Sequence, residues 1–140
     1  MLRKFTMLTL CGALGVLSLM FAQSASIQAE EKKTTKEIMT AGHKGADALF
    51  AKVQAALKAK KLEDAEAPAK ELAANGALFP KATPPKGEAK SWEDLSGKYA
   101  ANTKALSEAV AKKDEDAAKK AAGAIGTSCM ACHTAHRGKK

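Results

Sequence analysis

Two cysteines three positions apart, with a histidine directly after the second, place the strongest constraint on what this chain can fold into. They are Cys129, Cys132 and His133, within the sequence Cys-Met-Ala-Cys-His. This spacing is the attachment signature of a c-type haem. Residues three apart on a helix share one face, so both thiols can bond one porphyrin edge, and the adjacent imidazole can bind the iron. The motif therefore predicts a fold that encloses one covalent haem.

Two other kinds of site use closely spaced cysteines. A thioredoxin-like dithiol has the same spacing but lies early in a βαβ unit, whereas this motif ends an alanine-rich helical segment. A structural zinc site needs four ligands, and apart from Cys11 in the apolar N-terminal segment, the chain offers only Cys129 and Cys132 with His133 and His136 beside them. We therefore favour haem attachment.

The N-terminus has the features of an export signal. Arg3 and Lys4 precede an apolar stretch over residues 5–22, and small residues follow up to Ala29. This order predicts a signal peptide over residues 1–29, and a single periplasmic, or at least extracytoplasmic, haem domain over residues 30–140. Covalent haem is attached outside the cytoplasm, which agrees with export. A retained membrane anchor is the alternative, because the apolar stretch is just long enough to span a bilayer.

The chain is basic, with 23 Lys and Arg against 15 Asp and Glu and a net charge of +8. Loss of residues 1–29 would remove Arg3 and Lys4 but no acidic residue, which leaves +6. Such a surplus can steer an acidic redox partner toward the protein, although lysines that keep alanine-rich helices soluble would give the same charge. The lysines are scattered and not interleaved with aromatic residues, so the chain has no pattern for binding nucleic acid.

Apolar residues recur at steps of three and four along the chain, which predicts an all-α fold. In the first helix these positions are Ile38, Met39, Ala46, Leu49, Phe50, Val53 and Leu57. The four predicted helices span residues 35–60, about 63 to 76 or 80, 91–113, and 114 onward through the haem motif. Residues 80–90 form a loop, because three prolines and a glycine interrupt regular structure there.

Local signals mark where these helices begin. Thr34 and Glu37 form a capping-box pattern, Ser91 is a capping residue for the third helix, and acidic residues at 114–116 occupy the first turn of the fourth. The inward positions of the later helices are Ala65, Ala69, Leu72, Ala73, Trp92, Leu95, Tyr99, Leu106, Val110, Ala118, Ala122 and Ile125. Four such helices predict an antiparallel four-helix bundle. Because so many core positions are alanine, a buried porphyrin would fill volume that the side chains leave.

The alanine-rich helices, the acidic turn and the late haem motif together resemble the cytochrome c′ family of four-helix bundles. The resemblance covers the region after the signal and is strongest over residues 100–137. It implies that Cys129 and Cys132 form the thioethers, that His133 is the proximal iron ligand, and that Arg137 lies near the proximal pocket or a propionate. A solvated basic terminus would equally explain Arg137. The resemblance also implies a homodimer through the first two helices.

The chain departs from that family at His136, where an aromatic residue is more common. His136 follows His133 on the same helix and is confined to the proximal side, so we expect it to have no role at the iron.

Members of the family differ in what occupies the other, distal face of the iron. Three of the five methionines fall in the predicted signal and Met130 lies inside the attachment motif, so Met39 alone remains. It lies near the place where methionine-ligated relatives carry their ligand, with ordinary core packing as the alternative. His43 is one turn further along the same face and is the rival ligand. Its neighbours Gly42 and Gly45 either let the haem edge approach the backbone or loosen the helix.

These features predict an exported c-type cytochrome that transfers single electrons between extracytoplasmic redox partners. Ligation by sulfur and imidazole would raise the iron potential, which suits a carrier. A vacant distal site that binds small gases such as NO or CO is the alternative. We expect no enzymatic activity, because the sequence has neither a second metal site nor a nucleophile with an adjacent base.

Overall fold

The computed structural model describes residues 33–137, which form helices joined by turns and by a loop over residues 82–88. The loop predicted over residues 80–90 is therefore shorter at both ends, because helical structure includes Pro80 and Lys81 before it and Ala89 and Lys90 after it. The five α-helices are α1 (Thr35–His43), α2 (Leu49–Lys58), α3 (Leu62–Leu78), α4 (Ala89–Ala111) and α5 (Glu115–His136), and a short 3-10 helix (Phe79–Lys81) follows α3. This part of the chain contains no β-strand, which confirms the all-α prediction. The predicted signal peptide, residues 1–29, lies outside the described residues. No helix between residues 33 and 137 is long and apolar enough to cross a membrane.

The predicted first helix over residues 35–60 is wrong, because the structure divides it into α1 and α2. The chain turns between them at Gly45, whose φ of +88° lies in the left-handed region that favours glycine. The turn leaves Ala46 exposed, although the helical pattern predicted that it faces inward. Ile38 before the turn and Val53 after it are both fully buried, so the apolar pattern continues across the break.

The predicted cap of α1 is present and that of α4 is not, while Asp114, predicted in the first turn of the last helix, is the residue that caps α5. Thr34 Oγ1 accepts from the Glu37 N–H at 3.3 Å, and the Glu37 carboxylate accepts from the Thr34 N–H at 2.7 Å. Asp114 caps α5 by accepting from the Ala117 N–H at 2.9 Å. Helix α4 begins at Ala89, two residues before Ser91, and the Ser91 hydroxyl bonds the His136 side chain instead of capping the helix.

Two helix ends have the same hydrogen-bonded turn, with a lysine in a conformation that usually requires glycine. Lys60 follows α2 with φ of +56°, and Lys113 follows α4 with φ of +58°. In the first turn, the Lys61 N–H donates to the Ala56 carbonyl and the Lys60 N–H donates to the Leu57 carbonyl. This pair of bonds is the Schellman motif, which satisfies carbonyls that the helix leaves free and reverses the chain.

Helix α4 lies between α3 and α5 and packs extensively on both. Helix α2 packs on α3 and also contacts α5, while α1 packs on α2 and α3. The buried positions include the predicted alanines 65, 69, 118 and 122 together with Leu72, Leu106, Val110 and Ile125. Alanine at these contacts lets the helix backbones approach closely, which leaves the larger side chains to define the remaining space.

Candidate haem-binding cavity

A cavity of about 690 Å³ opens between α1, α4, α5 and the segment around residues 79–85. All the predicted site residues line it: Met39 and His43 from α1, Cys129, Cys132 and His133 from α5, and Arg137 directly after α5. The other lining residues are Thr35, Lys36, Thr40, Lys44, Phe79, Pro85, Trp92, Leu95, Tyr99, Ser128 and His136. Its volume lies within the range of about 300–1,000 Å³ that is typical of ligand and cofactor pockets.

Both motif cysteines are half-buried free thiols on the cavity face of α5. The Cys129 thiol donates to the Ile125 carbonyl of the preceding turn at 3.3 Å. Burial raises the pKa of Cys129, and burial together with the neighbouring Cys129 sulfur raises the pKa of Cys132. The two side chains are therefore protonated thiols that face one space, with the exposed His133 beside them.

Met39 is the methionine that has access to this cavity. Its side chain is half-buried and packs against the hydrophobic core. Met130, the other methionine of the described region, is 75% exposed on α5 and does not line the cavity. Within residues 33–137, Met39 is therefore the methionine whose side chain borders the cavity.

His43 also reaches the cavity, and it is hydrogen-bonded to a second lining residue. Its Nε2 lies 2.8 Å from the Tyr99 hydroxyl of α4, and its ring packs against Phe50 at 5.3 Å between centroids. Burial lowers the pKa of His43, and the nearby His133 imidazole lowers it further. Burial and the Cys129 sulfur raise the pKa of Tyr99. Both partners are thus neutral at pH 7, and their bond connects α1 to α4.

An aromatic wall completes one side of the cavity. The ring of Phe79 lies 4.8 Å from that of Trp92 and 5.2 Å from that of Tyr99, measured between centroids. All three side chains are buried in the core, and all three line the cavity. Tilted contacts of this kind add to the stabilisation from burial and hold the rings in fixed orientations.

His136 has a structural role that the sequence did not reveal. It is only 2% exposed, its Nδ1 lies 2.8 Å from the Lys86 carbonyl, and its Nε2 lies 3.0 Å from the Ser91 hydroxyl. A carbonyl only accepts, so Nδ1 carries a hydrogen and donates it to Lys86, while the Ser91 hydroxyl is the partner of Nε2. Both ring nitrogens are therefore engaged, and His136 is not available to join the cysteines at a zinc site.

The loop that His136 contacts depends on one glycine. Gly87 has φ of +86°, and a Cβ atom there would lie 2.7 Å from His136 Nδ1 and 2.9 Å from the Ala135 carbonyl oxygen. Only glycine fits both requirements. The contact joins the loop before α4 to the end of α5, next to the helix face that carries His133.

The charged side chains that line the cavity are all basic. They are Lys36 on α1, Lys44 after α1, and Arg137 after α5. No aspartate or glutamate is among the lining residues of the described region. The cavity therefore combines an aromatic interior with cationic side chains, an arrangement that favours a flat apolar ligand with anionic substituents.

Comparison of the chain with protein-family models, with curated proteins and with solved structures finds no match. Within residues 33–137, no three His, Cys, Asp or Glu side chains group closely enough to hold a bare metal ion.

Proposed function

We propose that the protein is an exported c-type cytochrome that transfers single electrons through one haem c, covalently bound to Cys129 and Cys132. His133 and Met39 are the proposed axial ligands of the iron. The observation that carries this proposal is the convergence of both motif thiols, the motif imidazole and a thioether from a distant helix on one cavity. We further propose an antiparallel four-helix bundle of the cytochrome c′ type, in which α1 and α2 together take the place of the first helix.

The chemistry of the lining residues fits this group. Thiols form thioether bonds to the porphyrin, and imidazole with a thioether is the ligand pair of cytochromes c. The aromatic wall of Phe79, Trp92 and Tyr99 offers apolar surface to a planar ring. Lys36 and Arg137 are cations that can pair with propionates. When bound, the haem supplies a centre that gains and loses one electron.

The chain's own residues set the conditions for that exchange. Phe79, Trp92 and Leu95 give the cavity an apolar inner surface. A dry, apolar surround and a thioether ligand both favour the less charged, reduced state, which raises the potential. The anchoring helix is fixed by the contacts of His136 to Lys86 and Ser91. Held in this way, His133 would keep its position while the iron changes charge, as an electron carrier needs.

Covalent attachment is the direct test of the proposal. The full chain is expressed with a cytochrome c maturation system, and the product is separated by denaturing electrophoresis and stained for haem peroxidase activity. We expect the band to retain haem, and the double variant Cys129→Ala/Cys132→Ala to lose it. Cys11→Ala is the matched control, because Cys11 lies in the predicted signal, and it should keep the stain. A full-length band without haem would overturn the proposal.

Export is tested independently by the intact mass of the mature protein. We expect a chain that begins at or near Glu30 and fractionates with periplasmic contents. A protein that keeps residues 1–29 and sediments with membranes would replace this expectation with the anchored alternative.

A further inference from the structure

We infer that Tyr99 is a positioning residue that determines which side chain of α1 binds the iron: its hydroxyl holds His43 and leaves the position to Met39. This inference rests on the proposed function and adds to it Tyr99, which the helical pattern marks only as a core position.

The choice of ligand needs an explanation, because two candidates share one helix face. Met39 and His43 are four residues apart on α1, and both line the cavity. Neutral imidazole is a common iron ligand, and the half-buried His43, whose pKa is lowered, is neutral at pH 7. Proximity and protonation state therefore do not favour Met39 over His43.

The hydrogen bond to Tyr99 does distinguish them. His43 Nε2 and Tyr99 Oη are 2.8 Å apart. If the hydroxyl donates, it occupies the lone pair of Nε2; if Nε2–H donates, that nitrogen has no lone pair. In either tautomer Nε2 is unable to bind a metal while the bond persists. Ligation through this nitrogen requires that the bond break and that the Tyr99 hydroxyl lose its partner, which is unfavourable for a polar group of a buried side chain.

The position of the Tyr99 hydroxyl is fixed from several sides. The Tyr99 ring is buried and packs on Phe79. On α1, a Cβ at Gly42 would lie 3.5 Å from the hydroxyl oxygen, so this helix borders the hydroxyl at ordinary contact distance. Gly42 is buried and faces Leu72 and Tyr99. The imidazole of His43 is held in turn between Tyr99 and Phe50.

Tyr99→Phe tests the inference, because it removes the hydroxyl and keeps the ring. In the haem-loaded wild type we expect the weak absorption band at the red edge that marks sulfur ligation. In Tyr99→Phe we expect that band to disappear, a low-spin iron with two imidazole ligands, and a lower reduction potential. The double variant Tyr99→Phe/His43→Gln should recover the sulfur band, and His43→Gln alone should keep it.

The outcomes separate a positioning role from a structural one. Retention of the sulfur band in Tyr99→Phe would overturn the inference and leave the proposed function intact. A high-spin iron in both Tyr99→Phe and the double variant would also overturn it, since Tyr99 would then support α1 without selecting its ligand. Failure of the proposed function has a different signature, because the wild type itself would carry no covalent haem.

Discussion

Among single residues, Met39 has the largest consequence for function, because the ligand it offers separates an electron carrier from a gas-binding protein. Its half-buried side chain packs on the core and borders the cavity. A thioether in that position would fill the distal side and exclude exogenous ligands. With no such ligand, the same cavity would admit a diatomic gas to the iron.

Met39→Ala should convert the iron from six-coordinate, low-spin to high-spin and allow it to bind carbon monoxide. The physical reason is that alanine offers no donor atom and leaves space on the distal side. Absorption spectra of the oxidised and reduced protein, with and without carbon monoxide, measure this change. Met130→Ala is the control, since Met130 is exposed and remote from the cavity, and it should leave the spectra unchanged. A wild type that is already high-spin and binds carbon monoxide would favour the gas-binding alternative.

Gly87 is the residue on which the contact between loop and attachment helix depends. Gly87→Ala should lower the free energy of unfolding by at least about 2 kcal/mol, because the left-handed conformation disfavours alanine and the new Cβ would overlap His136. Urea unfolding followed by circular dichroism measures the loss. Gly123→Ala is the matched control: it lies in α5 with open space around it and should stabilise by up to about 1 kcal/mol. Equal effects of the two substitutions would contradict the close contact.

The capping box at the start of α1 makes the stability of this helix depend on pH. Hydrogen bonds from the Thr34 N–H and hydroxyl lower the pKa of Glu37 from its ordinary value of 4.5. The native state therefore binds this proton more weakly than the unfolded chain does. The capping contribution of Glu37 is complete above about pH 4.5 and is lost as the pH falls through the native pKa.

A comparison of the wild type with Glu37→Gln across pH tests this linkage. At pH 7 the charged carboxylate should make the wild type the more stable of the two, and at pH 3 the difference should shrink toward zero. Urea midpoints at both pH values provide the measurement. Thr34→Ala removes one of the two hydrogen bonds and should reduce the pH dependence. A difference that does not change between pH 7 and pH 3 would show that the capping box does not stabilise α1.

Glycine at position 60 is expected to stabilise the turn between α2 and α3. Lys60→Gly should raise the free energy of unfolding by about 1 kcal/mol, because Lys60 has φ of +56° where a side chain is disfavoured. Lys58→Gly removes the same charge from the last residue of α2 and should lower it by a similar amount. Thermal unfolding of the two variants distinguishes the effects. If Lys60→Gly were also destabilising, the result would contradict a left-handed conformation at Lys60.

At this scale the sequence predicts where helices exist better than where they break. Leu72, Tyr99 and Ile125 are buried as their helical spacing predicts, because that spacing is a local property of the chain. The turn at Gly45 escaped prediction because the apolar pattern is the same on both sides of it. The breaks near Lys60 and Lys113 were predicted to within two residues, although no glycine marks either one.

In the candidate site, too, local features could be predicted from the sequence and long-range contacts could not. Cys129, Cys132 and His133 were predictable because their chemistry depends on a short spacing. The partners of His43 and His136 were not, since Tyr99 lies 56 residues from His43 and Lys86 lies 50 residues from His136. Contacts at that separation follow from how the helices pack, and no local pattern encodes them.

Considered as a whole, the molecule presents positive charge around its candidate redox centre. Exchange of Lys36 and Lys44 for glutamate should slow oxidation of the reduced protein by the anionic ferricyanide ion several-fold at low ionic strength. The effect should fade above about 0.1 M salt, where the screening length is near 10 Å. Stopped-flow absorbance measures the rates.

The control for this prediction is a double variant that changes the net charge by the same amount at other positions. Lys70→Glu/Lys120→Glu changes two exposed lysines that do not line the cavity, and it should slow the reaction less. A cationic oxidant should show the opposite trend with the Lys36 and Lys44 variant. If both pairs of substitutions slow ferricyanide equally, the total charge governs the encounter and the cavity rim does not.

The placement of Met39 on the first described helix and His133 on the last has a consequence for the chain as a polymer. An iron bound by both would act as a cross-link that closes a loop of about 94 residues. In the chain-entropy description of disulfides, a loop of that length is worth on the order of 4 to 5 kcal/mol. Unlike a disulfide, this link would weaken and strengthen with the oxidation state of the metal, since a soft thioether prefers reduced iron. Each electron carried would then loosen or tighten the connection between the two ends of the domain.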